Sequence, residues 1–141
     1  MKRIIRLMCL LLVFALFMAI PVYAQEQSTR ASSYFTAYRA YVTKVSSTKL
    51  TVSFNVIGTG IMDEIGTSTI KVQRSSDGIN WTTIKTFTKA NYSSMVDTDT
   101  ASHGAELSCT ITSGYYYRAY VEFYAKEGSG TAYRDYYTEK K

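Results

Sequence analysis

The chain has 141 residues, with 16 Lys and Arg against 11 Asp and Glu, 13 tyrosines, two cysteines and one proline. Three of the positive charges are Lys2, Arg3 and Arg6, so residues 25–141 carry 13 positive against 11 negative side chains, a net +2. A nearly neutral chain with no Lys/Arg cluster is a poor partner for nucleic acid, and two cysteines cannot staple a disulfide-rich scaffold.

The first segment reads as an export signal. Lys2, Arg3 and Arg6 precede the uncharged apolar run from Leu7 to Ile20, which ends at Pro21 and Val22-Tyr23-Ala24. Val22 and Ala24 are the slim residues that signal peptidase accepts, and cleavage is expected after Ala24. The run of 14 residues is short of the roughly 20 needed to span a bilayer, so no stable membrane insertion is expected after cleavage. Cys9 lies too early in the run for lipid attachment and departs with the signal. Pro21 is the only proline, which excludes a wall-sorting motif of the LPxTG kind, and the expected location is extracellular.

Residues 25–33 are polar and read as a loose arm before a single domain at 34–141. Strand signals dominate from there, with abundant Thr, Tyr, Val, Ile and Ser and no helical period. Residues 34–45 form a first strand. In 49–57, Leu50, Val52, Phe54 and Val56 alternate with Thr51, Ser53 and Asn55. Gly58-Thr59-Gly60 is expected to break that strand, with a loop following through Met62 to Gly66. Residues 69–88 read as a hairpin, with Ile70 and Val72 on one face and Ser76-Asp77-Gly78-Ile79-Asn80 as its turn. Trp81 and Phe87 sit at odd positions of the second arm and Ile84 at an even one, so its facing is divided. Residues 89–104 read as a long polar connection with a short strand near 92–96.

Ala105, Leu107, Cys109 and Ile111 alternate as the apolar face of the next strand. Thr112-Ser113-Gly114 turns the chain into the strongest strand, 115–125. Its odd positions are Tyr, Tyr, Ala, Val, Phe and Ala, and its even positions are Tyr116, Arg118, Tyr120, Glu122 and Tyr124. Residues 126–130 turn again and 131–138 form the last strand. About seven short strands separated by turn signals predict an all-β protein, an antiparallel two-sheet Greek-key sandwich.

Two segments resemble a known family. IKVQRSSDGINWTTIKTF at 70–87 is similar to the C–C′ hairpin of bacterial fibronectin type III-like domains, and TSGYYYRAYVEFYA at 112–125 to their E–F corner and F strand. The resemblance implies an immunoglobulin-like sandwich with a tyrosine near the start of strand F hydrogen-bonded back to the preceding loop. Tyr115 is the first candidate for that role and Tyr117 the second. The chain departs from the family in lacking proline after residue 21 and in the length of 89–104. The whole sequence also resembles a group of small exported proteins of Gram-positive bacteria that share a signal peptide, a GTGxMDEIG-like loop (here 58–66), the QRSSDG…W hairpin and the tyrosine-rich strand. That likeness implies an address and a fold, and no activity.

The chemistry-bearing residues point away from catalysis. His103 is the only histidine and reads as a solvated loop residue. Cys109 is alone after the signal and reads as a small buried hydrophobe, and no G-x-S-x-G elbow is present. Asp63-Glu64 and Asp97 with Asp99 read as turn and loop acids rather than a paired general acid and base. Asp97-Thr98-Asp99 could offer oxygens to Ca²⁺, but no EF-hand loop or Gly-Asp repeat accompanies it, and one His with one Cys is too little for zinc. The Ser75-x-Asp77-Gly78-x-x-Trp81 run is one residue short of a propeller Asp-box and reads as a hairpin turn with Trp81 packed at the strand start. No cofactor, no metal and no catalytic residue is expected.

Tyrosine remains. Tyr116, Tyr120 and Tyr124 share one face with Arg118, and Tyr133, Tyr136 and Tyr137 lie on the neighbouring strand. Such a ladder stabilises a solvated face by cross-strand stacking, or it offers a flat amphipathic platform for a ligand. The expected function is a secreted, non-catalytic binding module for a glycan or protein, its speculative surface being Tyr116, Arg118, Tyr120, Tyr124 and Tyr136. The alternative is a structural protein that self-associates through strand edges unbroken by proline.

Overall fold

The computed structural model describes residues 34–141; the expected signal at 1–24 and arm at 25–33 lie outside the described residues. Among the described residues, alternating apolar and polar residues produce six strands in one antiparallel sheet. They are β1 (Phe35–Lys44), β2 (Lys49–Ser75), β3 (Thr82–Thr88), β4 (Val96–Thr110), β5 (Tyr116–Glu127) and β6 (Gly130–Tyr137), with a single 3-10 turn at Ser93–Met95.

The 27 residues of β2 organise the sheet. Along one side β2 pairs first with β4, from Lys49↔Thr110 to Gly66↔Val96, and then with β3, from Thr69↔Thr88 to Arg74↔Thr82. Along the other it pairs first with β1, from Leu50↔Lys44 to Gly58↔Phe35, and then with β5, from Glu64↔Lys126 to Ser75↔Tyr116. β6 pairs with β5 alone. The expected break at Gly58-Thr59-Gly60 is therefore a bulge within one strand: the register against β4 shifts between Ile57 and Met62. Glycine suits the tight spacing at this bulge, because a Cβ on Gly58 would sit 3.0 Å from the Gly60 carbonyl oxygen and 3.1 Å from the Met62 side chain. Two expected strands, 49–57 and 69–75, are thus two halves of β2, and the count is six rather than seven.

The bulge lets the sheet curl, as bulges do where a strand changes direction. Strand β1 comes to face β5, and Phe123 at the centre of the curl packs against Tyr38 (5.1 Å between ring centres), Tyr136 (6.2 Å) and Phe54 (6.4 Å). The core takes Leu50, Val52, Phe54 and Val56 from the first half of β2 and Met62, Ile65, Ile70 and Val72 from the second. Opposite them lie Tyr117, Ala119, Val121, Phe123 and Ala125 of β5. Both alternations are those read from the sequence.

The 89–104 connection differs from expectation. Residues 92–96 hold no strand of their own; the 3-10 turn at Ser93–Met95 drops Met95 into the core, fully buried, and Tyr92 stacks edge-on against Phe87 at 5.0 Å. Strand β4 then starts at Val96, nine residues earlier than the apolar alternation at 105–111 suggests. The polar run 97–104 is a strand because its backbone finds β2, and its side chains are mostly exposed. Gly66 on β2 is required at this crossing: a Cβ there would overlap the Met95 carbonyl oxygen and lie 2.8 Å from the Val96 Cα.

Candidate functional site

The dispersed polar groups resolve into structural roles. His103 lies within β4 rather than in a loop. Its Nε2–H donates to the Ser94 carbonyl oxygen at 2.8 Å, its ring packs on Phe54 at 5.6 Å, and Nδ1 is 3.8 Å from Asp97 Oδ2. Cys109 lies six residues further along the same strand, roughly 20 Å at about 3.3 Å per residue, so the two cannot form a nucleophile–base pair. Cys109 is half-buried beside Leu107, and burial raises its thiol above the ordinary value, with Lys85 acting weakly in the opposite sense. A thiol so placed is a poor nucleophile.

The acids are likewise separated. Asp63 accepts the Gly128 N–H at 2.7 Å, whereas its neighbour Glu64 bonds Lys89 at 3.0 Å, with Lys126 at 3.8 Å. The Lys89 hydrogen bond holds the Glu64 carboxyl below its usual range against the opposing effect of burial. Asp97 caps the Thr98 N–H. Among the described residues no three His, Cys, Asp or Glu side chains converge on a common point. Asp77 closes the β2–β3 turn: Oδ1 accepts from the Ile79 N–H, the Asn80 N–H and the Ser75 hydroxyl, each at 2.8 Å, while Oδ2 accepts the Asn80 side-chain amide at 2.7 Å. These bonds, led by the Asn80 and Ile79 amides, hold its carboxyl far below the ordinary value.

Strand β5 carries the remaining feature. Its odd side chains from Tyr117 to Ala125 enter the core, and pairing with β2 and β6 sets its even side chains in rows on the outer face. Tyr120 lies between Lys71 and Tyr137, Glu122 opposite Asp135, and Tyr124 opposite Tyr133. Rings and cations interleave along these rows. The Arg118 guanidinium lies between Trp81 (4.3 Å to the ring centre) and Tyr137 (4.7 Å), and its Nε donates to Gln73 Oε1 at 2.8 Å. Tyr120 and Tyr137 are 5.2 Å apart, and Lys71 Nζ lies 5.5 Å from the Tyr120 ring centre. The Tyr120 hydroxyl donates to Asp135 at 2.7 Å. Burial first, and then that bond and the nearby carboxylates, raise the Tyr120 phenol well above its ordinary value.

The residues singled out from the sequence divide accordingly. Tyr116, Arg118 and Tyr120 stand together on this face, and Tyr116 is 45% exposed. Tyr124 is on the face but only 4% exposed, because Lys89 sits 3.6 Å over its ring and Tyr133 covers it at 5.4 Å. Tyr136 does not belong to the face: it pairs with Val121 and turns inward onto Phe123 and Tyr38. Its neighbours Tyr133 and Tyr137, half exposed at 50% and 54%, take its place. Trp81 was missed. Its odd position in a hairpin arm of divided facing gave no sign that a bulge between Val72 and Gln73 would leave it over Arg118.

The tyrosine bonded back to the preceding turn is Tyr117, not Tyr115. Its hydroxyl donates to the Thr112 carbonyl oxygen at 2.7 Å and accepts the Thr112 N–H at 2.9 Å. Tyr115 instead lies at the edge of the core under the Arg74 guanidinium, 4.5 Å from its ring centre. In comparisons with family models, with curated proteins and with solved structures, the chain matches none.

Proposed function

We propose that this is a secreted, non-catalytic binding module with a fibronectin type III-like sandwich, in which two strands that are normally separate have merged into β2. The strand pairing supports the sandwich reading. If the halves of β2 are strands B and C, then β1, β4, β3, β5 and β6 take the places of A, E, C′, F and G. B then pairs with A and E, and C with C′ and F, as in that architecture. The Tyr117–Thr112 bond sits where β4 passes to β5, at the E–F corner. The export signal supports the extracellular address.

The observation that carries the binding reading is the outer face of β5 and β6. Trp81, Arg118, Tyr137, Tyr120 and Lys71 stack on one another, and hydrogen bonds to Gln73 and Asp135 fix Arg118 and Tyr120, while Tyr116, Tyr133 and Tyr137 remain half exposed. Side chains already fixed lose little entropy when a ligand arrives. A glycan and protein array probed with the purified protein, followed by the Tyr133→Ala/Tyr137→Ala double variant, tests this. Loss of array binding with an unchanged fold is expected; binding indifferent to the double change removes the face as the site.

A second reading is self-association. Among the described residues, β1, β3, β4 and β6 are each paired on one side only, and open edges recruit further strands. Light scattering decides it: a monomer at millimolar concentration ends this reading.

A further inference from the structure

The charges on the outer face are unevenly placed. Its acids, Glu122 and Asp135, pair with one another in register and lie beyond Tyr120, toward the β5–β6 turn. Toward the β2–β3 turn the face carries Lys71, Arg118 and Lys140, and no carboxylate among the described residues is ion-paired with any of them. Each is instead held against a ring: Lys71 on Tyr120, Arg118 between Trp81 and Tyr137, and Lys140 5.2 Å from the Tyr116 ring centre. Lys140 is also fixed from the backbone, because Lys141 exchanges two hydrogen bonds of 2.9 Å with Tyr117.

Arg118 is the centre of this group. Gln73 holds its Nε and two aromatic faces hold its plane, while no hydrogen bond to a described residue engages its Nη atoms. A planar fork fixed in this way matches the two oxygens of a carboxylate. The cations lie on neighbouring rows of the sheet, at a pitch of about 6.6–6.8 Å for alternate residues of a strand. The face lies on the outer side of the curled sheet with Tyr116, Tyr133 and Tyr137 half exposed, so it suits a long chain lying across it rather than a small molecule that needs enclosure. Arg118 and Lys71 project from strands paired on both sides, on the face of the sheet rather than along an edge, whereas an extended peptide docks chiefly by adding a strand to an edge.

From this geometry we propose that the face binds a carboxylate-bearing polysaccharide, with Arg118 as the fork for one acid group and Lys71 and Lys140 as flanking charges. The inference rests on the binding-module reading and names its ligand class. Aromatic edges and the exposed Tyr133 and Tyr137 would meet the sugar rings, and the cations the acid groups.

The test is calorimetric titration of the purified protein with an oligogalacturonate and with its methyl ester, which keeps the sugar backbone and removes the charge. The acid form is expected to bind at least about tenfold more tightly than the ester, and to weaken as salt is raised, because exposed charges are screened. Lys71→Gln/Lys140→Gln and, separately, Arg118→Lys are each expected to weaken it about tenfold, the latter by removing the fork while keeping the charge. Circular dichroism and urea midpoints confirm that the variants fold. Equal binding of acid and ester overturns the inference but leaves a ring-based platform standing. Binding of neither probe overturns the inference too, and the array then judges the platform separately. Polyglutamate or DNA bound as tightly as the oligogalacturonate overturns the choice of a polysaccharide.

Discussion

The Tyr117 hydroxyl closes a ring with the backbone of Thr112, donating to its carbonyl oxygen at 2.7 Å and accepting its N–H at 2.9 Å. The Tyr117 side chain is fully buried, so it ties the β4–β5 turn directly to the core. One phenol thus satisfies two backbone groups that no strand ladder reaches, and it fixes where β5 begins. The phase of β5 then decides which residues face outward.

Tyr117→Phe keeps the ring and deletes both bonds. Because Thr112 is exposed and water can replace part of the loss, the expected cost is about 1 kcal/mol, the net worth of a typical hydrogen bond. Tyr117→Ala removes the buried ring as well and should cost about 3–5 kcal/mol, as for other large aromatic deletions in cores. Urea denaturation of both variants measures the difference; equal costs would mean that the hydroxyl contributes nothing and packing everything.

Gly66 and Gly60 lie six residues apart on β2 and should respond oppositely to a methyl group. Gly66→Ala drives its Cβ into the Met95 carbonyl and the Val96 Cα, whereas nothing lies within 4 Å of a Cβ at Gly60. Overpacking against backbone predicts a loss of about 2 kcal/mol or more for Gly66→Ala. Gly60→Ala should stay within about 0.5 kcal/mol of the parent, as surface changes do. Thermal melts of the two variants provide the check.

Alkaline pH should weaken the fold through Tyr120. Its phenol is raised in the folded protein, above the value of about 10 expected for an unfolded chain. The folded state therefore keeps a proton that the unfolded state releases. The stability this gives is complete below about pH 10 and is lost as pH rises from there through the folded value. Stability measured by urea between pH 8 and 11 should fall at the alkaline end, and Tyr120→Phe should flatten that limb. An identical slope in the variant would show that another group is responsible.

Much of this was legible in the sequence. The alternation of Leu50, Val52, Phe54 and Val56, and of the odd residues of β5, gives burial directly, because side chains in a strand alternate in direction whatever lies beyond. The turn at Asp77 was also legible, since its bonds run to residues within three positions. The outward set Tyr116, Arg118 and Tyr120 follows from the same alternation. What misled were the glycines and the polar run. Gly58-Thr59-Gly60 has the composition of a turn, yet whether glycine ends a strand or kinks it depends on partners far away in sequence. Residues 97–104 have no apolar period and become strand because they pair with β2 on both sides of the register shift.

The sequence by itself determined the class of structure, the inward and outward faces of its strands and the residues of the β2–β3 turn, because these depend on interactions a few residues long. Only the tertiary structure decided that two expected strands are one, that Tyr117 rather than Tyr115 anchors the β4–β5 turn, and that Trp81 and Tyr137 rather than Tyr136 complete the outer face. Each of these depends on register, and a shift of a single residue in register reverses which face a side chain occupies. Bulges at Ile57/Met62, Val72/Gln73 and Thr67/Thr69 make such shifts, and their positions are set by packing between strands that meet only once the chain has folded.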